Sequence, residues 1–97
     1  MQEILVSELK RHSLADVIKG CDLIEGKEYE SFVQSVKNFG VISPIIITPE
    51  NIVISGWTRV RACIDLGLEF IPAIIQEFES LEDEIIAMCD CNLSRNN

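Results

Sequence analysis

The sequence has no apolar run approaching the ~20 residues that a bilayer-spanning helix needs, and its N-terminus lacks the basic-then-apolar layout of a secretory leader. A cytoplasmic protein that works without a membrane is expected. Histidine is nearly absent, with His12 the single example. The four cysteines (Cys21, Cys63, Cys89 and Cys91) include no C-x-x-C pair, so the usual structural zinc patterns are excluded. Free thiols, buried or half-buried in a reducing compartment, are the better reading. Internal repeats, low-complexity tracts and linker-like stretches of Pro, Gly and Ser are also missing, and one domain over residues 1–97 is expected. Positive charge is scarce: 8 Lys and Arg stand against 16 Asp and Glu, for a formal net charge of −8. Such a surface repels duplex DNA at long range, which argues against free-standing DNA binding.

What is present suffices for a core. Hydrophobic residues make up 47% of the 97 residues, and a chain of this size buries roughly 60–65% of the surface it exposes when unfolded. Ile4-Leu5-Val6 is short enough to favour a strand. Ser13 with Asp16 has the form of a capping box and Gly20 that of a stop, which predicts a short helix over Leu14–Lys19. Cys21–Lys27 is expected as loop. Tyr29, Phe32, Val33, Val36 and Phe39 form one apolar stripe at helical spacing, and Gly40 follows as a left-handed cap. The β-branched runs Ile45–Thr48 and Ile52–Ile54, separated by Pro49-Glu50-Asn51, predict a hairpin. Trp57–Leu66 reads as a helix closed by Gly67. Ile71–Gln76 reads as a strand, with Pro72 tolerable at an edge or a first position. Ser80 and Asp83 form a second capping box before a helix over Leu81 to about Leu93. The order predicts a compact α+β fold, a small mixed sheet with a hairpin flanked by three main helices.

Chemistry concentrates at Ser55-Gly56-Trp57-Thr58-Arg59-Val60-Arg61-Ala62. A strand ends, glycine permits a tight turn, and a helix starts with unsatisfied N–H groups that favour anions, phosphate above all. Thr58 offers a hydroxyl. Arg59 sits in the first turn, where a cation opposes the helix dipole unless an anion partners it. Arg61 diverges from Arg59 by about 200° on a helix, so the two cannot grip one oxygen. Trp57 could stack on a base or partner, although packing is the commoner use of such a residue. His12 is expected to hydrogen-bond locally and fix the chain.

Two more segments join this one. Phe39-Gly40-Val41-Ile42-Ser43-Pro44-Ile45-Ile46 runs from a helix stop through a loop into a strand, and Cys91-Asn92-Leu93-Ser94-Arg95 closes the last helix. Together with Ile54–Ala62 followed by Leu66-Gly67, they resemble the three boxes of the ParB partition-protein family, over essentially the whole chain. That resemblance implies a ParB/sulfiredoxin-like fold holding a nucleoside triphosphate, CTP or ATP, with Mg2+. It assigns phosphate contacts to Gly56, Arg59 and Arg61, beside which the Thr58 hydroxyl is a further candidate, and backbone approach to the Gly40–Ser43 loop. Asn92, with Asp90 beside it, would serve the magnesium, and Arg95 matches the third-box arginine. The chain departs from the family pattern at Trp57, Thr58 and Cys91, where a Glu or His, an Arg and a Glu are usual. A cation and a carboxylate are thereby lost, so any triphosphatase activity is expected to be weak.

Sulfiredoxins carry a cysteine directly after the second-box glycine, and Trp57 in that place excludes their thiolate chemistry. The resemblance implies a nucleotide-responsive switch in a DNA partition or DNA-associated regulatory protein. DNA would be reached only through domains outside this chain, and a homodimer is open. Two other classes also stay open: a degenerate interaction module without nucleotide, and a phosphoryl-transfer enzyme or nuclease of the same superfamily. Arg59→Ala is expected to abolish nucleotide binding at little cost to stability.

Overall fold

The computed structural model describes residues 2–15 and 25–94. Strand β1 (Gln2–Leu5) runs into a 3-10 turn at Val6–Glu8, and β2 (Lys10–Arg11) follows. Helix α1 (Gly26–Phe39), the hairpin strands β3 (Ile45–Ile47) and β4 (Ile52–Ser55), helix α2 (Trp57–Leu66), β5 (Phe70–Ile75) and α3 (Leu81–Ser94) complete the order. The strands form one mixed five-stranded sheet in the order β1-β5-β3-β4-β2. The fold is therefore α+β, a small mixed sheet with three main helices, as the patterning predicted.

The hairpin shows why its residues were chosen. Thr48 is 2% exposed, and its hydroxyl accepts the N–H groups of Glu50 and Ile52, each at 3.2 Å. Asn51 takes the positive φ of 68° that the turn requires, a conformation Asn tolerates better than most residues. Strand β3 then pairs antiparallel with β4 and parallel with β5. Alternation along these strands divides the core between two faces. Ile45, Ile47 and Val53 join Val60 and Cys63 of α2 on one side, while Ile46 and Ile54 pack with Met88 of α3 on the other. A strand buried on both faces must be apolar throughout, which accounts for the uninterrupted isoleucines.

Several boundaries and placements differ from the expectations. Val6 opens the 3-10 turn instead of ending β1, and it is buried. Gly26 and Lys27 belong to α1. The helix expected over Leu14–Lys19 lies mostly outside the described residues; Ser13–Ala15 form a turn. Strand β5 starts at Phe70 and lies inside the sheet between β1 and β3, so Pro72 is neither at an edge nor first. It stands opposite Glu3 of the short outer strand β1. Gly40 has φ 76° but ψ −175°, a region open essentially to glycine alone, not the left-handed helical cap that was expected. Gly67 does close α2 in the left-handed region, with its own N–H on Ile64 and that of Leu68 on Cys63.

Candidate functional site

The end of the sheet where β4 stops and β3 begins brings two of the three sequence boxes together. Helix α2 starts immediately after Gly56, whose φ is 106°. A Cβ on Gly56 would lie 2.5 Å from Ile45 Cγ2 and 3.0 Å from Arg59 Nη1. Glycine is thus required here by the packing of β3 and of Arg59 on the turn. The Gly56 carbonyl accepts the N–H groups of Arg59 and Val60, closing the first turn. Gly56 brings no side chain to cap this end of the helix, and the free N–H groups of a helix start favour an anion.

Arg59 crosses from α2 to the first box. Its Nη1 donates to the Pro44 carbonyl at 2.9 Å and to the Ser43 carbonyl at 3.4 Å. Main-chain carbonyls of the Gly40–Pro44 loop are thereby tied to the helix start. Ser43 enters through its backbone oxygen. Gly40 donates its N–H to Val36 of α1 at 2.8 Å, so that amide is spent on ending the helix. Thr58 is half-exposed in the first turn of α2. Arg61 turns the other way: its guanidinium carbon stands 4.0 Å from the centroid of the Tyr29 ring on α1. Tyr29 donates its hydroxyl to Asp65 at 2.5 Å. Burial, then that bond and the Asp65 charge, push the Tyr29 phenol up to about 12. The two arginines diverge as helical geometry demanded, one toward the loop and one toward α1.

Trp57 packs half-buried against the α2 face of the core, with the Arg11 guanidinium 5.9 Å from its ring centroid. That is the packing role. His12 is 5% exposed. Its Nδ1 accepts the Leu14 N–H at 3.0 Å, and since an amide can only donate, the proton sits on Nε2, which donates to Glu84 at 3.0 Å. The local role expected of His12 holds, and it reaches α3 as well. Cys63 and Cys89 are free thiols. Burial, with a smaller effect from the Glu3 charge, raises the Cys63 thiol, and with no surface exposure it is an inert core residue.

Asp90 and Asn92 fall in the last turns of α3, and Arg95 lies outside the described residues. Among the described residues no group of three His, Cys, Asp or Glu is placed to hold a metal ion. The residues present fit an anion at the α2 start: an uncapped helix end, a hydroxyl in the first turn, and a guanidinium between helix and loop. Sequence reasoning missed Pro44 as the partner of Arg59 and Tyr29 as that of Arg61. Only the four-residue spacing of Arg61 and Asp65 could have hinted at the second arrangement. The low cost expected for Arg59→Ala is also revised, because its loss leaves the Ser43 and Pro44 carbonyls short of a charged donor, worth about 1–3 kcal/mol.

Residues 1–92 match the ParB N-terminal domain family. The nucleoid occlusion protein of Halalkalibacterium halodurans is 33% identical over 76 residues, covering 75% of this chain and 26% of that protein. A C-terminally truncated ParB from Caulobacter crescentus, solved complexed with CTP-gamma-S, superposes with a TM-score of 0.74 at 22% identity, over 99% of this chain and 54% of that one. Sulfiredoxin from Arabidopsis thaliana has a TM-score of 0.67 at 20% identity, covering 87% of this chain and 94% of that one. The chain spans 26% or less of the length of the curated relatives it matches. No described helix is long and apolar enough to cross a membrane.

Proposed function

The chain belongs to the ParB N-terminal domain family, and from that premise we propose that it binds a nucleoside triphosphate, CTP or ATP, with Mg2+, and acts as a switch module in a DNA partition or DNA-associated regulatory protein. The observation that carries this reading is the Arg59 bridge between the start of α2 and the carbonyls of Ser43 and Pro44. A phosphate seated at the helix start meets the Thr58 hydroxyl and the N–H groups of Trp57 and Thr58 while drawing on the same guanidinium that positions the loop. Gly56 sets the turn, and Arg61 stiffens the α1–α2 pair from behind instead of touching the phosphates directly. Asn92, with Asp90, is assigned to the magnesium. The metal, when bound, neutralises phosphate charge. The CTP-gamma-S bound by the Caulobacter ParB supports a cytidine nucleotide as the first ligand to try.

The test is calorimetric titration with CTP, ATP and GTP, each with magnesium, on the parent chain and on Thr58→Ala and Arg59→Lys. Saturable binding of one nucleotide, weakened about tenfold by Thr58→Ala, a loss of one charge-assisted contact, is the expected result. Arg59→Lys, which keeps the charge but not the planar fork, should weaken it further. Absence of heat with all three nucleotides on folded parent protein would sink the proposal. It would leave a ParB-fold interaction module in which Arg59 and the Gly40 N–H serve the internal bonds described above.

A further inference from the structure

At the same end of the sheet, on the side of β5 and β1, the Gly40–Ile42 loop forms one wall of a groove of about 720 Å³. Its apolar lining comes from Val41, Ile42, Leu68, Phe70 and Pro72. Ile42 is 79% exposed and Phe70 50%, an arrangement that costs solvation unless something covers it. Two carboxylates, Glu3 on β1 and Glu69 before β5, line the same groove, and no described Lys, Arg or His does. We propose that this groove docks a basic amphipathic segment of a partner protein, with apolar side chains on the Ile42–Phe70 floor and Lys or Arg against Glu3 and Glu69.

Charge complementarity selects this occupant. A second copy of the chain brings a formal charge of −8 to an acidic rim, and an anionic lipid surface or a polyphosphate is repelled by the same carboxylates. A segment with cations beside its apolar face satisfies both halves of the groove, in the manner of helix-in-groove recognition. The groove is separate from the start of α2, yet it shares the Gly40–Pro44 loop with it. One side of that loop is held by Arg59 through Ser43 and Pro44, and the other forms the groove wall. The inference stands without the nucleotide reading.

The probe is a fluorescein-labelled peptide of Leu and Lys residues arranged at helical spacing, followed by anisotropy on the full chain, with its Leu/Glu counterpart and a Gly/Lys peptide as comparisons. The Leu/Lys peptide should bind saturably and the other two at least tenfold more weakly. Ile42→Ser, at an exposed loop position that leaves the core intact, should weaken it about tenfold, as should the pair Glu3→Gln and Glu69→Gln. The remote pair Glu28→Gln and Glu50→Gln should leave it unchanged. Equal losses from the remote and groove pairs, or equal binding of Leu/Lys and Gly/Lys peptides, would reduce the effect to general charge attraction and overturn the proposal. Concentration-dependent dimerisation abolished by Ile42→Ser would overturn it in favour of a second copy. Loss of nucleotide heat in Ile42→Ser, with peptide binding intact, would overturn it by assigning the groove to the nucleotide.

Discussion

Gly56 and His12 are fixed by different physics, and each yields a prediction that a single substitution can read. At Gly56 the φ of 106° and the 2.5 Å approach of Ile45 Cγ2 act together, so a methyl group meets both backbone strain and a β3 side chain that cannot retreat from the core. Gly56→Ala is expected to lower unfolding free energy by roughly 2–4 kcal/mol, read from urea denaturation; a loss under half of that would mean the turn relaxes freely. At His12 the constraint is electronic. Nδ1 accepts from Leu14 and Nε2 donates to Glu84, so any acceptor at position 84 serves. Glu84→Gln should cost less than Glu84→Ala, which leaves a buried donor unpaired at about 1–3 kcal/mol. Equal costs for the two variants would remove the hydrogen bond from the account.

At the scale of elements, α1 and α2 are joined by Arg61 stacked on Tyr29 and by Tyr29 bonded to Asp65. Tyr29 is the single tyrosine of the chain, so its phenolate absorbance reports this junction without interference. Its folded pKa is raised to about 12 from 10.0. The unfolded chain therefore gives up this proton first, and the stability due to the neutral phenol, full below pH 10, is lost as pH rises toward 12. Tyr29→Phe should flatten the decline in stability over that interval, and a phenol titrating near 10 in folded protein would contradict the arrangement. The helices themselves were legible because their signals are local and periodic: the α1 stripe, Gly67 after α2, and Ser80 ahead of α3, whose hydroxyl accepts the Asp83 N–H. The β3–β4 hairpin was legible for the same reason. Pro72 inside the sheet was not, since strand order depends on which elements pack and carries no local mark. The site was readable as three boxes, but the partner of Arg59 lies fifteen residues upstream, and a guanidinium-to-carbonyl contact leaves no spacing pattern to read.

At the scale of the whole molecule, an acidic composition is combined with described arginines that are each turned toward another segment of the chain. Among the described residues Arg59 holds loop carbonyls, Arg61 covers a tyrosine ring, and Arg11 stands over Trp57. Each is committed to joining two segments of the chain, so none contributes to a basic stripe that could track a phosphate backbone. The full chain carries 16 acidic residues against 8 basic, those three arginines included. Duplex affinity arises chiefly from cations that displace condensed counterions, and its salt dependence counts them. Membership of the family is therefore not expected to bring duplex binding to these residues by itself. In a gel-shift titration at about 0.1 M salt, a concentration where only a multi-cation footprint survives screening, this chain alone should leave duplex DNA unshifted, with or without nucleotide. A shift that weakens steeply between low and moderate salt would show a cationic footprint on the chain and contradict the inward placement of its arginines as the deciding feature.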